Sequence, residues 1–463
     1  MDDAFDRHED HVIVPFRRKL AYGMGATGDT LMSGVVRGNM RYYFIVIMRF
    51  NPVLYGWALL IPRLWDAVTD PLMGHISDNF RSRFGRRRPF ILIGGLLSCL
   101  IGAVLYTMPS GLSESSKFVW LLGFMLLFTT FHTVMYVPYN ALGCELSTDY
   151  DERTRVFAVQ MLVMQIMQFF TAPFFQIANK RSLFPDPRTG YLTLLVALAV
   201  LSPLGLLWTF LGTREEGEIQ SQAKIPIRAA VRTTFMNKPF LILMAFLLVL
   251  GIVTSTVMPF GIFVNVFHVF GGDADAAGKM VTCSLWVGAL SGLVSIFICR
   301  WLGTAIGKRN ALMVVAVFWV SAQVCSWFLY NPEYPWLLLV HSGLENLATG
   351  YFMLLLAMTA DIVDEDELRT GKRREGMYTG VRAFVSKVTI AAGGLWMGYC
   401  LKFAGFDEAL PAQAPATIQN IRVIYAFYPI PFVVIAILIL LRYPLTERKV
   451  RAMREELERR RIS

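Results

Sequence analysis

Charge is scarce in this chain, and several chemical signatures are missing from it altogether. Only 17% of the 463 residues are charged while 55% are hydrophobic, and the mean hydropathy of +0.49 excludes a soluble protein that hides its apolar residues in one core. The cysteines (Cys99, Cys144, Cys283, Cys299, Cys325 and Cys400) never fall in CxxC spacing, so they read as reduced packing residues and not as a metal or redox centre. His75, His132, His268 and His341 form no HExxH pair, no nucleophile elbow is present, and no Walker motif supports ATP-driven export. The start, Met1-Asp2-Asp3-Ala4-Phe5-Asp6, is acidic where a signal peptide is basic, and reads as an uncleaved cytosolic tail. An enzyme is the poorest fit, and no cofactor is called for.

What is present is a series of apolar stretches of about 20 residues, the length that crosses a bilayer. They predict an all-α membrane protein with twelve transmembrane helices, near 19–47, 52–76, 89–109, 118–146, 155–178, 190–212, 239–268, 277–300, 309–330, 335–362, 376–402 and 421–442. Basic residues concentrate on alternate loops: Arg81 to Arg88 after span 2, Arg153 and Arg155 after span 4, and Lys224, Arg228 and Arg232 after span 6. Arg300, Lys308 and Arg309 after span 8, and Lys372 to Arg374 after span 10, continue the pattern. It places these loops and both termini in the cytoplasm. The net charge of +10 then follows from topology and contact with lipid headgroups, and a nucleic-acid partner is unnecessary. The tail from Thr446, with Leu445, Val450, Met453 and Leu457 near helical spacing, reads as a short helix on the membrane surface.

A polar linker at 213–238 separates an N-terminal six-helix half, 1–212, from a C-terminal one, 239–442, with a tail at 443–463. Gly85-Arg86-Arg87-Arg88 opens span 3 and Gly307-Lys308-Arg309 opens span 9. Asp151 to Arg155 before span 5 is echoed by the charged run 364–375 before span 11. Two related six-helix halves are, by fold analogy, the plan of the major facilitator superfamily.

Span 2 holds two carboxylates one helical turn apart, Asp66 and Asp70. A charge at the bilayer centre costs roughly 2.5 to 3.5 kcal/mol, so the pair implies a compensating cation, partner or proton. Positions i, i+3 and i+4 share a helix face, which gives Asp66, Thr69 and Asp70 one common volume. Oxygen-only ligation suits a hard cation such as sodium; with none bound, one carboxylate takes a proton. Pro71 also leaves the Ala67 carbonyl without its helical partner. The competing reading is a structural bridge between Arg63 and Asp66. Lys387 lies inside the apolar run 380–396, too deep to snorkel, and needs an anion.

Span 1 carries Asp29, Arg37, Asn39 and Arg41, polarity that suggests a water-filled cavity, with Asp29 either binding substrate hydroxyls or pairing with Arg37. Tyr22, Tyr136, Tyr139, Asn140, Gln160 and Phe352 are cavity candidates because rings and amides stack on and hydrogen-bond sugars; core packing is the alternative for any one aromatic. Arg86, Arg87 and Arg88 have Asp78, Glu145 or Asp151 as partners for a cytoplasmic gate that opens and closes in alternating access, or serve topology alone.

Tyr22-Gly23-Met24-Gly25, Arg63-Leu64-Trp65-Asp66 with Asp70-Pro71, Phe84-Gly85-Arg86, Val137-Pro138-Tyr139, Asp151-Glu152-Arg153, Ala360-Asp361-Ile362-Val363-Asp364 and Lys387 occur in one order. That ordered set resembles the glycoside-pentoside-hexuronide:cation symporters, the family typified by the melibiose permease, and the likeness continues to Tyr443-Pro444-Leu445-Thr446. The resemblance implies a cation-coupled symporter for a sugar or glycoside. It makes Asp66, Thr69, Asp70 and Thr133 the cation ligands, Thr69 replacing an Asn, with the Thr133 hydroxyl bonded to its own helix as the alternative. It puts Lys387 toward the cation and substrate sites, with Asp66 or Asp70 as its partner and a structural ion pair with an unrelated carboxylate as the alternative. Arg63 is a second candidate coupling residue.

The departures are as informative. Where the permease has its galactoside-binding residues, this chain has Thr30, Tyr136, Asn140, Gln160 and Phe352, and Arg382 stands in place of a Gln. The coupling site persists while the sugar site does not, which disfavours a galactoside and leaves another glycoside, a pentoside or a uronate. Vertebrate lysophospholipid symporters share the fold and the Asp-x-x-Thr-Asp-Pro pattern, so a lysolipid or other amphiphile is the alternative. A sensor without transport has no need of costly charges at Asp66 and Asp70. Short loops and no organelle signal point to a bacterial inner membrane, and a monomer is expected.

Overall fold

A computed structural model describes residues 14–147, 150–214, 237–371, 374–410 and 412–462. Among them every regular element is helical: α1 (Phe16–Thr27), α2 (Val35–Arg41), α3 (Pro52–Asn79), α4 (Arg88–Leu105), α5 (Glu114–Glu145), α6 (Tyr150–Thr171), α7 (Phe174–Ala178) and α8 (Pro187–Gly212). The remainder are α9 (Lys238–Val257), α10 (Phe260–Phe263), α11 (Ala274–Ala305), α12 (Lys308–Leu329), α13 (Leu337–Asn346), α14 (Tyr351–Thr370), α15 (Glu375–Phe403), α16 (Pro415–Phe427), α17 (Pro429–Leu441) and α18 (Glu447–Ile462). Wider π-helical stretches, Gly28–Gly34 and Tyr42–Ile47, flank α2.

Ten helical stretches among the described residues are long and apolar enough to cross a membrane. The runs 16–47 and 52–79 are helical but fall outside those ten, because Asp29, Arg37 and Arg41 interrupt the first and Arg63, Asp66 and Asp70 the second. The helices least like ordinary membrane spans are therefore the ones that carry the candidate site. Large apolar side chains such as Phe170, Val200, Phe297 and Phe328 are exposed, as expected of surfaces that face hydrocarbon.

Local sequence explains where helices begin. Ser113, Asp186, Asn237 and Asp273 each accept a hydrogen bond from a backbone N–H of the first turn that follows, replacing a partner that helix geometry leaves out. Gly85 and Gly307, which open the two basic runs, both adopt left-handed backbone with φ of +98° and +81°, a region open to glycine at little cost. The echo read in the sequence thus extends to backbone conformation.

The chain divides into two compact units, Met1–Tyr43 with Ile61–Ser221, and Phe44–Leu60 with Gln222–Ser463. In the first, α1 packs on α6 and α8, and α4 on α5 and α8, around a core that includes Tyr22, Ile91, Met135, Tyr139 and Leu206. Gly94 lets α4 and α5 touch: a Cβ there would lie 2.7 Å from Met135 N, the kind of close approach on which helix association in lipid depends. In the second, α9 packs on α15 and α17, and α11 on α13. The tail forms α18 as expected, but Val450 and Leu457 are buried where α18 packs on α14, so its apolar face covers protein and not the membrane surface.

Candidate functional site

The site in the first unit is built on α3. Asp66, Thr69 and Asp70 share one face, and Asp66 and Thr69 are buried at 3% and 9% exposure. Arg63 Nη1 lies 3.1 Å from Asp66 Oδ2, one turn away, while Asp66 Oδ1 is buried with no hydrogen-bond partner among the described residues. An orphaned carboxylate oxygen in an apolar setting is costly. Thr69 Oγ1 donates to Trp65 O at 3.2 Å, which leaves its lone pairs as acceptors. From α5, Thr133 Oγ1 donates to Asp70 Oδ1 at 3.0 Å, and Trp65 Nε1 donates to Thr130 Oγ1 at 2.9 Å. The donor set is all oxygen, with one open position at Asp66; it fits a hard monovalent cation or a proton.

A second constellation lies in the same unit, where α1 widens into the π-helical stretch that contains Asp29 and Thr30. His132 Nε2 is 2.8 Å from Asp29 Oδ1, and its Nδ1 is 3.5 Å from Arg37 Nη2. Arginine only donates, so Nδ1 accepts and the ring proton sits on Nε2, facing Asp29. His132 therefore links the two residues that the sequence suggested as a direct pair. Tyr136 stacks on the His132 ring at 5.3 Å and is 39% exposed, and Arg37 lies over the Phe128 ring at 5.7 Å. Arg37 lies within electrostatic range of Asp66, which attracts it, and of Arg63, which repels it. Thr30 Oγ1 is buried without a hydrogen-bond partner among the described residues.

The other expected substrate residues are distributed unevenly. Tyr22 is fully buried, stacks on Tyr139 at 4.7 Å and donates to Gln160 Oε1 at 3.4 Å; both are packed in the core. Asn140 Nδ2 donates to Tyr136 O at 2.9 Å on its own helix. Phe352, Arg382 and Lys387 belong to the second unit: Phe352 is exposed beside Tyr351 at 4.2 Å, Arg382 Nε is buried without a hydrogen-bond partner among the described residues, and Lys387 is half-buried on α15.

Of the basic loop, Arg86 pairs with Glu145, Arg87 Nη2 meets Asp78 Oδ1 at 2.7 Å and Glu145 Oε1 at 2.9 Å, and Arg88 donates to the carbonyl of Phe210. The Asp151 side chain lies outside the described residues. Glu152, its neighbour, holds Lys19 Nζ at 2.5 Å and Arg155 Nη1 at 3.2 Å. In the second unit Lys308 Nζ meets Asp361 Oδ2 at 2.6 Å, a cation from the second basic run on a carboxylate of α14, as Arg86 meets Glu145 of α5.

His132 is the site residue that the sequence motifs do not announce. Its one signal is an imidazole in the middle of an apolar span, the same signal that marks Lys387.

Known proteins resemble this chain along its length. The uncharacterized symporter YnaJ of Bacillus subtilis (strain 168) is 25% identical, covering 96% of this chain and 94% of that protein. The sodium-dependent lysophosphatidylcholine symporter 1-A of Danio rerio is 24% identical, covering 93% and 86%, and the isoprimeverose transporter of Lactiplantibacillus pentosus is 22% identical, covering 90% and 86%. Among solved structures, the nucleoside transporter NupG superposes with a TM-score of 0.64 at 14% identity, over 92% of this chain and all of NupG, which shows a shared fold. Residues 21–447 match the family described as MFS/sugar transport protein, and the chain accordingly belongs to that family, a multi-pass membrane transport protein and not an enzyme.

Proposed function

We propose that the protein is a cation-coupled symporter in which Asp66, Thr69, Asp70 and Thr133 hold sodium or a proton. The observation that carries this reading is Asp66: buried, with one oxygen on Arg63 and the other unpartnered. When the ion leaves, Arg63 remains to offset the Asp66 charge; when it binds, the open oxygen gains its missing partner. Asp70 is tied to α5 through Thr133, so charge at the site is felt by two helices at once. Arg63 and Lys387 act as the coupling cations, and alternating access runs between two six-helix halves with twelve spans in all. Arg86, Arg87, Arg88, Glu145 and Asp151 form the cytoplasmic gate.

The substrate reading is a sugar or glycoside, supported by the isoprimeverose transporter and by Tyr136, an accessible ring next to Asp29 and His132. The second reading is a lysolipid or other amphiphile, favoured by the likeness to the lysophosphatidylcholine symporter. The protein acts as a monomer in a bacterial inner membrane with both termini cytoplasmic. Uptake by proteoliposomes of radiolabelled isoprimeverose, glucuronides and lysophosphatidylcholine, each with and without a sodium or proton gradient, tests it. Accumulation of one class above equilibrium under a gradient is expected; identical uptake with the gradient collapsed overturns symport.

A further inference from the structure

The second unit holds a carboxylate that the symport reading does not use. Glu345 lies near the end of α13, inside the apolar stretch Leu337–Thr370. That stretch is interrupted: α13 ends at Asn346, α14 starts at Tyr351, and the intervening bonds tighten to three-residue turns, with Ala348 N on Glu345 O at 3.3 Å and Thr349 N on Asn346 O at 3.1 Å. Ser295 of α11 closes the break, its hydroxyl donating to Leu347 O at 2.5 Å and accepting from Gly350 N at 2.7 Å. Irregular backbone at membrane depth is tolerated where it lines a cavity, and half-helix ends of this kind form ligand sites.

A cavity of about 250 Å³ opens at the break; Leu250, Met258, Trp319 and Phe352 give it an apolar side, and Glu345 lines it together with hydroxyl side chains such as Thr254, Ser386 and Thr389. Glu345 Oε1 accepts from Gln323 Nε2 at 2.9 Å. Its Oε2 is 3.9 Å from His341 Nδ1, beyond hydrogen-bond reach, and no arginine or lysine pairs with it among the described residues. The titratable groups facing it are His341 on its own helix, Tyr330 after α12 and Tyr425 on α16, none a permanent cation. Two independent features thus favour positive charge at one point: an unpaired carboxylate among apolar side chains, and the C-terminal end of a half-helix, where the backbone dipole is negative.

We propose that this cavity binds an amphipathic organic cation, with its apolar body among Leu250, Met258, Trp319 and Phe352 and its ammonium at Glu345 Oε2. A metal ion, which the hydroxyls of Thr254, Ser386 and Thr389 could ligate beside Glu345, is a competitor that the sodium chloride titration below tests. A proton is the second competitor, since a protonated Glu345 meets the same demand, and the ligand is therefore displaced as the medium is acidified. The proposal does not rest on the Asp66 and Asp70 reading, and its test uses no ion gradient.

Calorimetric titration of the purified full chain in detergent with 2-phenylethylamine and with its neutral isostere 2-phenylethanol separates charge from shape. The amine is expected to bind at least about tenfold more tightly, the size of one charge-assisted hydrogen bond, and to lose that advantage in Glu345→Gln. Glu345→Asp, which keeps the charge, should retain a preference for the amine and covers the case in which the Gln variant fails to fold. Acidification should weaken the amine and leave the alcohol unchanged. Equal affinities in the unsubstituted protein, an amine preference that survives Glu345→Gln, or displacement of the amine by sodium chloride at constant ionic strength each overturns the proposal.

Discussion

Thr133 Oγ1 donates a 3.0 Å hydrogen bond to Asp70 Oδ1, so a hydroxyl of α5 fixes the carboxylate that α3 presents. A threonine hydroxyl mid-helix usually bonds its own backbone; here it reaches across to the neighbouring helix. Thr133→Ala should weaken coupling-cation affinity by about tenfold, as expected for losing a hydrogen bond to a charged group. The half-saturating sodium or proton concentration in proteoliposome uptake measures this, and an unchanged value removes Thr133 from the site.

Asp66→Asn and Asp70→Asn should each abolish accumulation against a gradient, because each removes a ligand charge from a buried site. Asp66→Asn also takes the counter-charge from half-buried Arg63, 3.1 Å away, at a cost of about 1.5 to 3 kcal/mol for a charged hydrogen bond. The double variant Arg63→Gln with Asp66→Asn should therefore regain thermal stability without regaining accumulation. Wild-type accumulation in either single variant counts against the assignment.

Thr69→Ala should reduce sodium dependence more than proton dependence. Its hydroxyl, bonded to Trp65 O at 3.2 Å, retains lone pairs for a metal ion, whereas protonating a carboxylate needs no third ligand. Uptake driven by each gradient separately is the measurement, and equal losses argue against direct ligation.

His132→Phe keeps the ring that stacks with Tyr136 but removes both nitrogens that hold Asp29 and Arg37. The substrate KM should rise at least about tenfold through loss of polar positioning, while the sodium half-saturation stays near its original value. A shift confined to the ion term would move His132 into the cation site.

At the start of α8, outside the apolar stretch, Asp186 accepts from Thr189 N at 2.9 Å, and this backbone N–H holds its carboxyl below the ordinary value of 3.8. A depressed folded-state value means the cap stabilises above that pH and is lost as pH falls through the lower folded value. Asp186→Ala should cost about 1 kcal/mol near neutrality, and the difference from the unsubstituted protein should vanish in strong acid. Thermal unfolding across pH checks both.

Much of this was legible from residue order alone, for reasons that differ by element. The shared face of Asp66, Thr69 and Asp70 follows from helical spacing, which is local, and so does the membrane class, which is compositional. The contact of Thr133 with Asp70 joins positions 63 residues apart and entered the sequence reading through family resemblance alone. Asp29 with His132, 103 residues apart, had no local pattern to announce it. The tail shows a different limit: Val450 and Leu457 predict an apolar face, but whether lipid or α14 covers that face is a tertiary fact. Glu345 carries the same signal as Lys387, an ionisable group deep in an apolar run, and its neighbour Gly343 gives no hint of the break that follows.

The interruption between α13 and α14 is written partly on another helix. The Leu347 carbonyl and the Gly350 N–H lack their helical partners, and one hydroxyl on α11, Ser295, serves both. A side chain added at position 350 would press to 2.7 Å of that same oxygen and 2.6 Å of Cys299 Sγ. The interruption is therefore held from two sides: Ser295 of α11 takes up the Leu347 carbonyl and the Gly350 N–H, and within the segment Thr349 Oγ1 donates at 2.7 Å to Asn346 O, the carbonyl a continuous helix would offer to Gly350. Loss of the Ser295 hydroxyl would leave one carbonyl and one N–H unsatisfied at membrane depth, so two hydrogen bonds fix the register of α11 against the interrupted stretch.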